Sequence, residues 1–506
     1  MKKININKNN IPEIAFIAFF VLVMIIPVIL MNHKKEQFSE SENKMLAEWP
    51  EFSWSDTLLS EVSEYFEDRI GFREVAIETY TEFNNAVFGV MVNPLFMWGE
   101  EGHIYYKDKD YIAAYQRNNT DKEYIDSMVS FLEKTNDYLH SKDIEFLYFV
   151  CPDKKTIYPE YFPKTVNVNP YNDSVLDYLD SKMSASEVKY INPRDYLTAA
   201  KANSVVYNKL YDATHWNDLG GFIGESLIDE YVQEKFTDVP RLDASNFDIE
   251  YVTMKSLDNA KFKINEVVPL YNLREDYTAD YTELLRPSMQ CNSDTFYTHH
   301  INSTAPNNRI LLVFTDSYLQ AHQKFYDNRF KEVYFVHRQN YDYLQYFVNL
   351  VFPDMVIFET AERSISSEMP LNTDFNDYYY EPSYQGQYDF SENTGLSYEI
   401  TYTEGGRVDG STIYLNPNDG ASIMRVDGVL SGVDSDNMDV YVSTADECME
   451  ADYCKLHRES CEEGINRFSF SIQRRYMAQS YINLFAYDRD NDRTMLLTTF
   501  EVAYDE

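Results

Sequence analysis

Between residues 121 and 358 the apolar pattern switches repeatedly between helical spacing and short unbroken apolar runs, and few architectures accommodate that alternation. Residues 121–141, 173–183, 219–234 and 341–352 carry helical spacing. Residues 144–150 (IEFLYFV), 188–191, 310–314, 332–337 and 354–358 are apolar runs of strand length. Strands separated by helices pair in parallel, because a right-twisted strand packs its following helix back onto the sheet only through a right-handed crossover. The expected fold is therefore α/β: a three-layer domain with a parallel sheet over 92–365, interrupted by a polar, Tyr-rich insertion at 244–303.

The flanks read differently. Residues 14–31 hold no charge, and at about 1.5 Å per residue that run just crosses a bilayer core of about 30 Å. Its length, and the lack of a small-x-small cleavage site after it, favour an uncleaved signal-anchor over a signal peptide. Residues 1–32 are thus expected to be a cytoplasmic tail and transmembrane helix. Lys2, Lys3 and Lys8 precede the run and Lys34 and Lys35 follow it, so the positive-inside balance is nearly even. Charge decides the side: 44 Lys+Arg against 83 Asp+Glu give a net charge of -39. So acidic a bulk suits the outside of the cell better than an anionic cytoplasmic membrane surface. It also excludes a broad basic face for nucleic acid. Residues 33–91 read as a stalk and helical lead-in, with Leu58, Leu59, Val62, Tyr65, Phe66 and Ile70 roughly on one face. Residues 374–389 are dense in Tyr and Asp, and 366–389 read as a linker. Residues 390–506 show short alternating runs between turn signals such as Gly405-Gly406 and Asp427-Gly428, the pattern of an all-β sandwich. Its tyrosines make it a candidate glycan-binding unit, although the same rings suit ordinary strand positions.

Two clusters carry possible chemistry. Arg309-Ile-Leu-Leu-Val-Phe-Thr-Asp316-Ser317 ends a hydrophobic strand on a polar turn that a helix follows, the position where open α/β sheets keep their sites. Asp-Ser alone is uninformative, since it recurs at Asp126-Ser127, Asp173-Ser174, Asp180-Ser181 and Asp434-Ser435. The preceding strand distinguishes Ser317. His215, in Tyr211-Asp-Ala-Thr-His-Trp-Asn217, falls in a turn between an expected strand at 205–207 and the helix from 219. A loop histidine beside a carboxylate has its tautomer fixed and its imidazolium stabilised, as a general base requires. Asp137-Tyr-Leu-His140 repeats the spacing on a plain helix. Metal chemistry has weaker support: no His-x-x-x-His and no Cys-x-x-Cys occurs. Cys448, Cys454 and Cys461, with His457, have the wrong spacing for zinc, and one disulfide with a spare thiol suits them better. Asp488-Arg-Asp490-Asn-Asp492 opens like a calcium loop but lacks Gly at the sixth position and Glu at the twelfth. No metal or other cofactor is expected.

With their flanks, the clusters resemble the DHHW-type relatives of alginate O-acetyltransferases, which carry an SGNH-hydrolase-like domain. The resemblance covers roughly 38–365. It rests on Ser41-Glu-Asn-Lys-Met-Leu46 with Pro50, Phe66-Glu-Asp-Arg-Ile-Gly-Phe-Arg73, Trp98-Gly-Glu-Glu-Gly-His-Ile-Tyr-Tyr106, Pro152-Asp-Lys-Lys-Thr-Ile-Tyr158-Pro-Glu, Asp212-Ala-Thr-His-Trp-Asn217, Phe314-Thr-Asp-Ser317, and Pro353-Asp-Met-Val-Ile357 with Glu362-Arg363. It implies a membrane-anchored, extracytoplasmic O-acetyltransferase of a polysaccharide, with Ser317 as nucleophile, His215 as base and Asp212 as its orienter. It also implies a multi-spanning membrane acyltransferase as acetyl donor. An acetyl-esterase with the same triad and a non-catalytic glycan-binding factor are the alternatives. Thr315, Trp216, Asn217 and Arg338 are the candidate substrate-binding and site-shaping residues. The chain departs from the family twice: Thr315 stands where Gly is usual, and Asp212 lies three residues before His215 rather than two.

Overall fold

The computed structural model describes residues 11–34, 38–39, 44–50, 58–89, 91–257, 262–282, 296–351, 353–365, 390–391, 395–415, 423–432, 438–443, 448–450, 466–473, 481–488 and 490–504. Its centre is a seven-stranded sheet built from β1 (Glu145–Cys151), β2 (Tyr190–Ile191), β3 (Thr278–Asp280), β4 (Tyr297–Asn302), β5 (Ile310–Thr315), β6 (Glu332–His337) and β7 (Met355–Ala361). The spatial order is β2-β1-β7-β5-β6-β4-β3. The first five in that order pair in parallel, with Val313 opposite Ile357 and Phe335, and Ile357 opposite Leu147.

Alternation along these strands fills two cores. Phe146, Tyr148, Leu312, Phe314, Val356 and Phe358 face the helices Lys122–His140, Val175–Met183 and Leu344–Val351. Leu147, Phe149, Leu311, Val313, Met355 and Ile357 face the helix Asp218–Lys235. Strands buried on both faces read as continuous apolar runs, which is why they stood out in the sequence.

The five strands expected from the sequence all pair in parallel, and the sheet carries two more that do not. The insertion returns to the sheet: β4 pairs antiparallel with β6, and β3 with β4. Tyr297, His299 and Ile301 point inward, and this half-buried alternation is too short to stand out among polar neighbours. The first half of the insertion forms an antiparallel hairpin, Phe247–Ser256 with Lys263–Leu273. The expected strand at 205–207 is a single bridge between Tyr207 and Trp216. The helix expected over 341–352 is preceded by a tighter turn at Arg338–Tyr343 and runs over Leu344–Val351.

Residues 11–29 are helical, with side chains described from Ala15 onward, and Phe16, Phe19 and Leu22 are exposed. Among the described residues no helix is long and apolar enough to cross a membrane. The lead-in is two helices, Leu58–Arg69 and Arg73–Phe88, rather than one. They break at Gly71-Phe72, where Phe72 takes φ 63°. Gly71 passes so close to the end of the N-terminal helix that a Cβ would sit 2.7 Å from that of Leu30.

The C-terminal part holds two sheets. One comprises Ser397–Glu404, Ile423–Ser431 and Asn466–Gln473; the other includes Thr412–Leu415, Met438–Ser443, Tyr481–Asp488 and Arg493–Tyr504. Val426 and Phe470 of the first share a core with Ile413, Leu484 and Phe500 of the second, so the two sheets pack face to face. In the acidic run, Asp488 accepts from the Asn491 amide at 3.1 Å and pairs across the strands with Arg493. The expected linker at 366–389 lies outside the described residues, as do Cys454 and Cys461 and hence the expected disulfide.

Candidate active site

Four loops leave the carboxyl ends of parallel strands on one edge of the sheet: 152–157 after β1, 316–317 after β5, 338 after β6 and 362–363 after β7. A fifth loop, 208–217, reaches the same edge from the helical layer.

Ser317 opens the short helix Ser317–Gln320, and Asp316 caps it by accepting from the Tyr318 amide at 3.0 Å. The other Asp316 oxygen accepts from the Ala361 amide at 3.0 Å, which fastens the turn to the end of β7. Ser317 is exposed; Asp316 and Tyr318 on either side are buried. Ser317 Oγ lies 2.8 Å from Nε2 of His215, although 102 residues separate them. His215 Nδ1 lies 2.9 Å from Asp212 Oδ2. A carboxylate accepts only, so Nδ1 carries the proton and Nε2 presents its lone pair to the serine hydroxyl. The second Asp212 oxygen accepts from the amides of Thr214 (2.7 Å) and His215 (2.8 Å). Burial alone would raise the Asp212 carboxyl. The charge of His215 and its hydrogen bond, with these two amides, hold it well below the usual carboxylate range.

The histidine loop is gripped from both sides, by Glu266, which the sequence gave no reason to single out, and by Lys154, which stood out only as part of a marker. Glu266, on the insertion hairpin, accepts from three successive amides, Lys209 (2.6 Å), Leu210 (2.7 Å) and Tyr211 (2.6 Å). Lys154 is fully buried and donates to the carbonyls of Ile104 (2.8 Å), Lys209 (3.1 Å) and Asp212 (3.0 Å). Burial pulls its ammonium down to about 7, against the opposing pull of Asp212 and Glu266. Tyr318 joins the two halves of the site: its hydroxyl donates to the Thr214 carbonyl at 2.8 Å, and its ring meets His215 edge-on.

A second network lies beneath. Asp153, wholly buried, accepts from Lys155 (2.7 Å) and Arg363 (2.6 Å). Glu362 accepts from Lys155 (3.0 Å) and the Asp153 amide (2.9 Å). Burial would raise the Asp153 carboxyl, but the two cations hold it below its ordinary value. Arg363 Nη2 stands 3.2 Å from His215 Nε2. Asp-Lys-Lys and Glu-Arg were visible as markers of the resemblance; nothing in the sequence showed that they meet across the sheet.

The candidate substrate-binding and site-shaping residues pack around and beneath the relay. Thr315 is fully buried, and its hydroxyl donates to Glu359 at 2.6 Å behind the nucleophile turn. Glu359 itself is buried in β7, and that burial, with the Asp316 charge, pushes its carboxyl well up. Trp216 is buried against Phe149, Tyr318 and His322 and shapes the site from below. Asn217 caps the helix Asp218–Lys235 by accepting from the Gly220 amide at 3.0 Å. Arg338 turns its guanidinium toward Asp316 (3.8 Å) and Ser364 (3.2 Å). All four support the site from within the protein. Two clefts, about 670 and 810 Å³, are lined by other residues, Asp180 and Tyr231 in one and Phe247 and Arg329 in the other. Among the described residues no group of His, Cys, Asp and Glu is arranged to hold a metal.

No protein-family model matches the chain, and no curated protein does. Among solved structures it is similar to Bacillus cereus PatB1, at 17% identity and a TM-score of 0.44, over 55% of this chain and 99% of that one. The same protein with a sulfonyl adduct gives 17% and 0.43, over 56% and 99%. The O-acetyltransferase domain of Pseudomonas putida AlgJ gives 15% and 0.39, over 56% and 95%. Similarity at this level assigns no activity to this chain.

Proposed function

We propose that this chain is an O-acetyltransferase that works through an acetyl-serine intermediate and passes the acetyl group to a glycan hydroxyl outside the cell. The observation that carries the reading is the unbroken relay from Asp212 through His215 to Ser317, with both contacts under 3 Å. In the first half-reaction His215 Nε2 takes the proton of Ser317 Oγ as that oxygen attacks the acetyl carbonyl, then returns it to the leaving oxygen. In the second, Nε2 takes the proton of the acceptor hydroxyl, whose oxygen displaces Ser317. Asp212 stays ionised throughout and stabilises the transient imidazolium, in keeping with its lowered pKa.

The apolar N-terminal helix is proposed to hold the chain at a membrane, beside a multi-spanning acyltransferase that supplies acetyl groups. The C-terminal sandwich is proposed to hold glycan, through tyrosines such as Tyr402 and Tyr504, which are about half exposed. One observation favours an acetyl-esterase as the second reading: Ser317 is exposed, so water reaches the intermediate unless a bound acceptor excludes it. Incubating the full-length chain with a simple acetyl ester and a panel of neutral oligosaccharides, beside Ser317→Ala, separates the two. Acetylated sugar from the wild type alone supports transfer. Free acetate without acetylated sugar leaves the esterase.

A further inference from the structure

Arg363 takes no part in the proton relay, yet its placement is specific. Nη1 is fixed on Asp153 at 2.6 Å, and Asp153 is held in turn by Lys155 at 2.7 Å. The guanidinium carbon stands 5.3 Å from the centre of the Tyr318 ring. With that end anchored, Nη2 is held 3.2 Å from His215 Nε2, the nitrogen that also meets Ser317 Oγ. The Arg363 side chain is 22% exposed although its anchor is wholly buried, so the charged fork reaches from the interior to the open edge of the site.

The consequence is chemical. An imidazole whose Nδ1–H is committed to Asp212 has one lone pair, at Nε2. One Nη2 N–H faces Nε2 and the other is left over; once Ser317 Oγ is esterified and an incoming hydroxyl takes its place on Nε2, the two nitrogens present one acceptor and one donor side by side. Two hydroxyl groups on neighbouring carbons, whose oxygens keep a comparable separation, complement that pair. The first gives its proton to Nε2 while the oxygen of the second accepts from Nη2. A lone hydroxyl, or water, meets only half of it. We infer that Arg363 selects acceptors carrying vicinal hydroxyls, as on a sugar ring, over isolated hydroxyls and water. This rests on the acyl-serine reading and names the acceptor class for the same site. In the transfer step the proton of the first hydroxyl goes to Nε2 and its oxygen bonds to the acetyl carbon. The bond from that carbon to Ser317 Oγ breaks, and Oγ takes the proton from Nε2. Arg363 exchanges no proton and holds the second oxygen.

The test uses the full-length chain and separates the half-reactions. The first is followed as the burst of alcohol released from an acetyl ester. The second is followed as acetyl transfer to methyl glycosides with a vicinal diol and to their monodeoxy counterparts. The wild type should favour the diols by at least about tenfold in kcat/KM, because a site built to bond a hydroxyl rejects the analogue that lacks it. Arg363→Lys, which keeps a cation on Asp153 but loses the fork, should bring that preference to within about threefold. Equal use of deoxy acceptors by the wild type, or an undiminished preference in Arg363→Lys, overturns the inference. Should the variant not fold, the wild-type deoxy series decides alone. A wild type with no burst overturns the acyl-serine reading as well; a burst without preference overturns only the role of Arg363.

Discussion

Lys154 offers a prediction whose size follows from its surroundings. It is fully buried, its ammonium donates to three backbone carbonyls, and Asp212 and Glu266 are the nearby carboxylates. Burial brings its pKa from the ordinary 10.5 to about 7. Between those values the unfolded chain binds a proton that the folded chain does not, so this group makes stability rise with pH across that window. The slope for one proton is about 1.4 kcal/mol per pH unit. Lys154→Met keeps the side-chain volume and removes the titration. The stability of the wild type relative to this variant should therefore grow by about 2–3 kcal/mol between pH 7 and pH 9. Groups common to both proteins cancel in the difference. Urea unfolding of both full-length chains at several pH values, followed through tryptophan fluorescence, reads it directly. A difference that stays flat from pH 7 to pH 9 would show that Lys154 keeps its charge in the fold and would refute the argument.

Further expectations follow from the same geometry. Ser317→Ala and His215→Ala should each lower acetyl turnover by at least about a thousandfold, and the double variant should lose little more, since the two act as one unit. Additive losses would break the relay. Ser174→Ala removes the cap of the helix Val175–Met183, where Ser174 accepts from the Asp177 amide at 3.1 Å. It should cost about 1 kcal/mol of stability and leave turnover unchanged. Glu266→Gln exchanges a carboxylate that accepts from three amides for a group with one acceptor oxygen. Hydrogen exchange over 207–217 should speed up and turnover should fall, whereas unchanged exchange would mean that the hairpin does not hold the histidine loop.

Much of the α/β part was legible because its strands are buried on both faces. Leu311 to Phe314 and Val356 to Phe358 left unbroken apolar runs that need no alignment to notice. Ser317 and His215 were legible for a related reason, since the end of a parallel strand and the turn before a helix are positions that local sequence marks. What supports them was not legible. Glu266 sits in a hairpin whose exposed strands carry little apolar signal, and Lys154 looks like any surface lysine until the fold buries it. Asp153 and Glu362 meet 209 residues apart, a distance over which no local pattern carries information. The way Thr315, Trp216 and Asn217 turn was not legible, because nearness in sequence to a nucleophile or base says nothing about where a side chain points. Each turns inward.

The central claim is that Ser317 carries the acetyl group. The direct measurement is to expose the full-length chain briefly to an acetyl ester, quench in acid, and map the acetyl mark by mass spectrometry of the peptide containing Ser317. The account predicts one acetyl group on Ser317 in the wild type and none in Ser317→Ala. It also predicts that the mark accumulates in His215→Ala far more slowly than in the wild type. Turnover of the ester with Ser317 unmarked, or turnover that survives in Ser317→Ala, would contradict it.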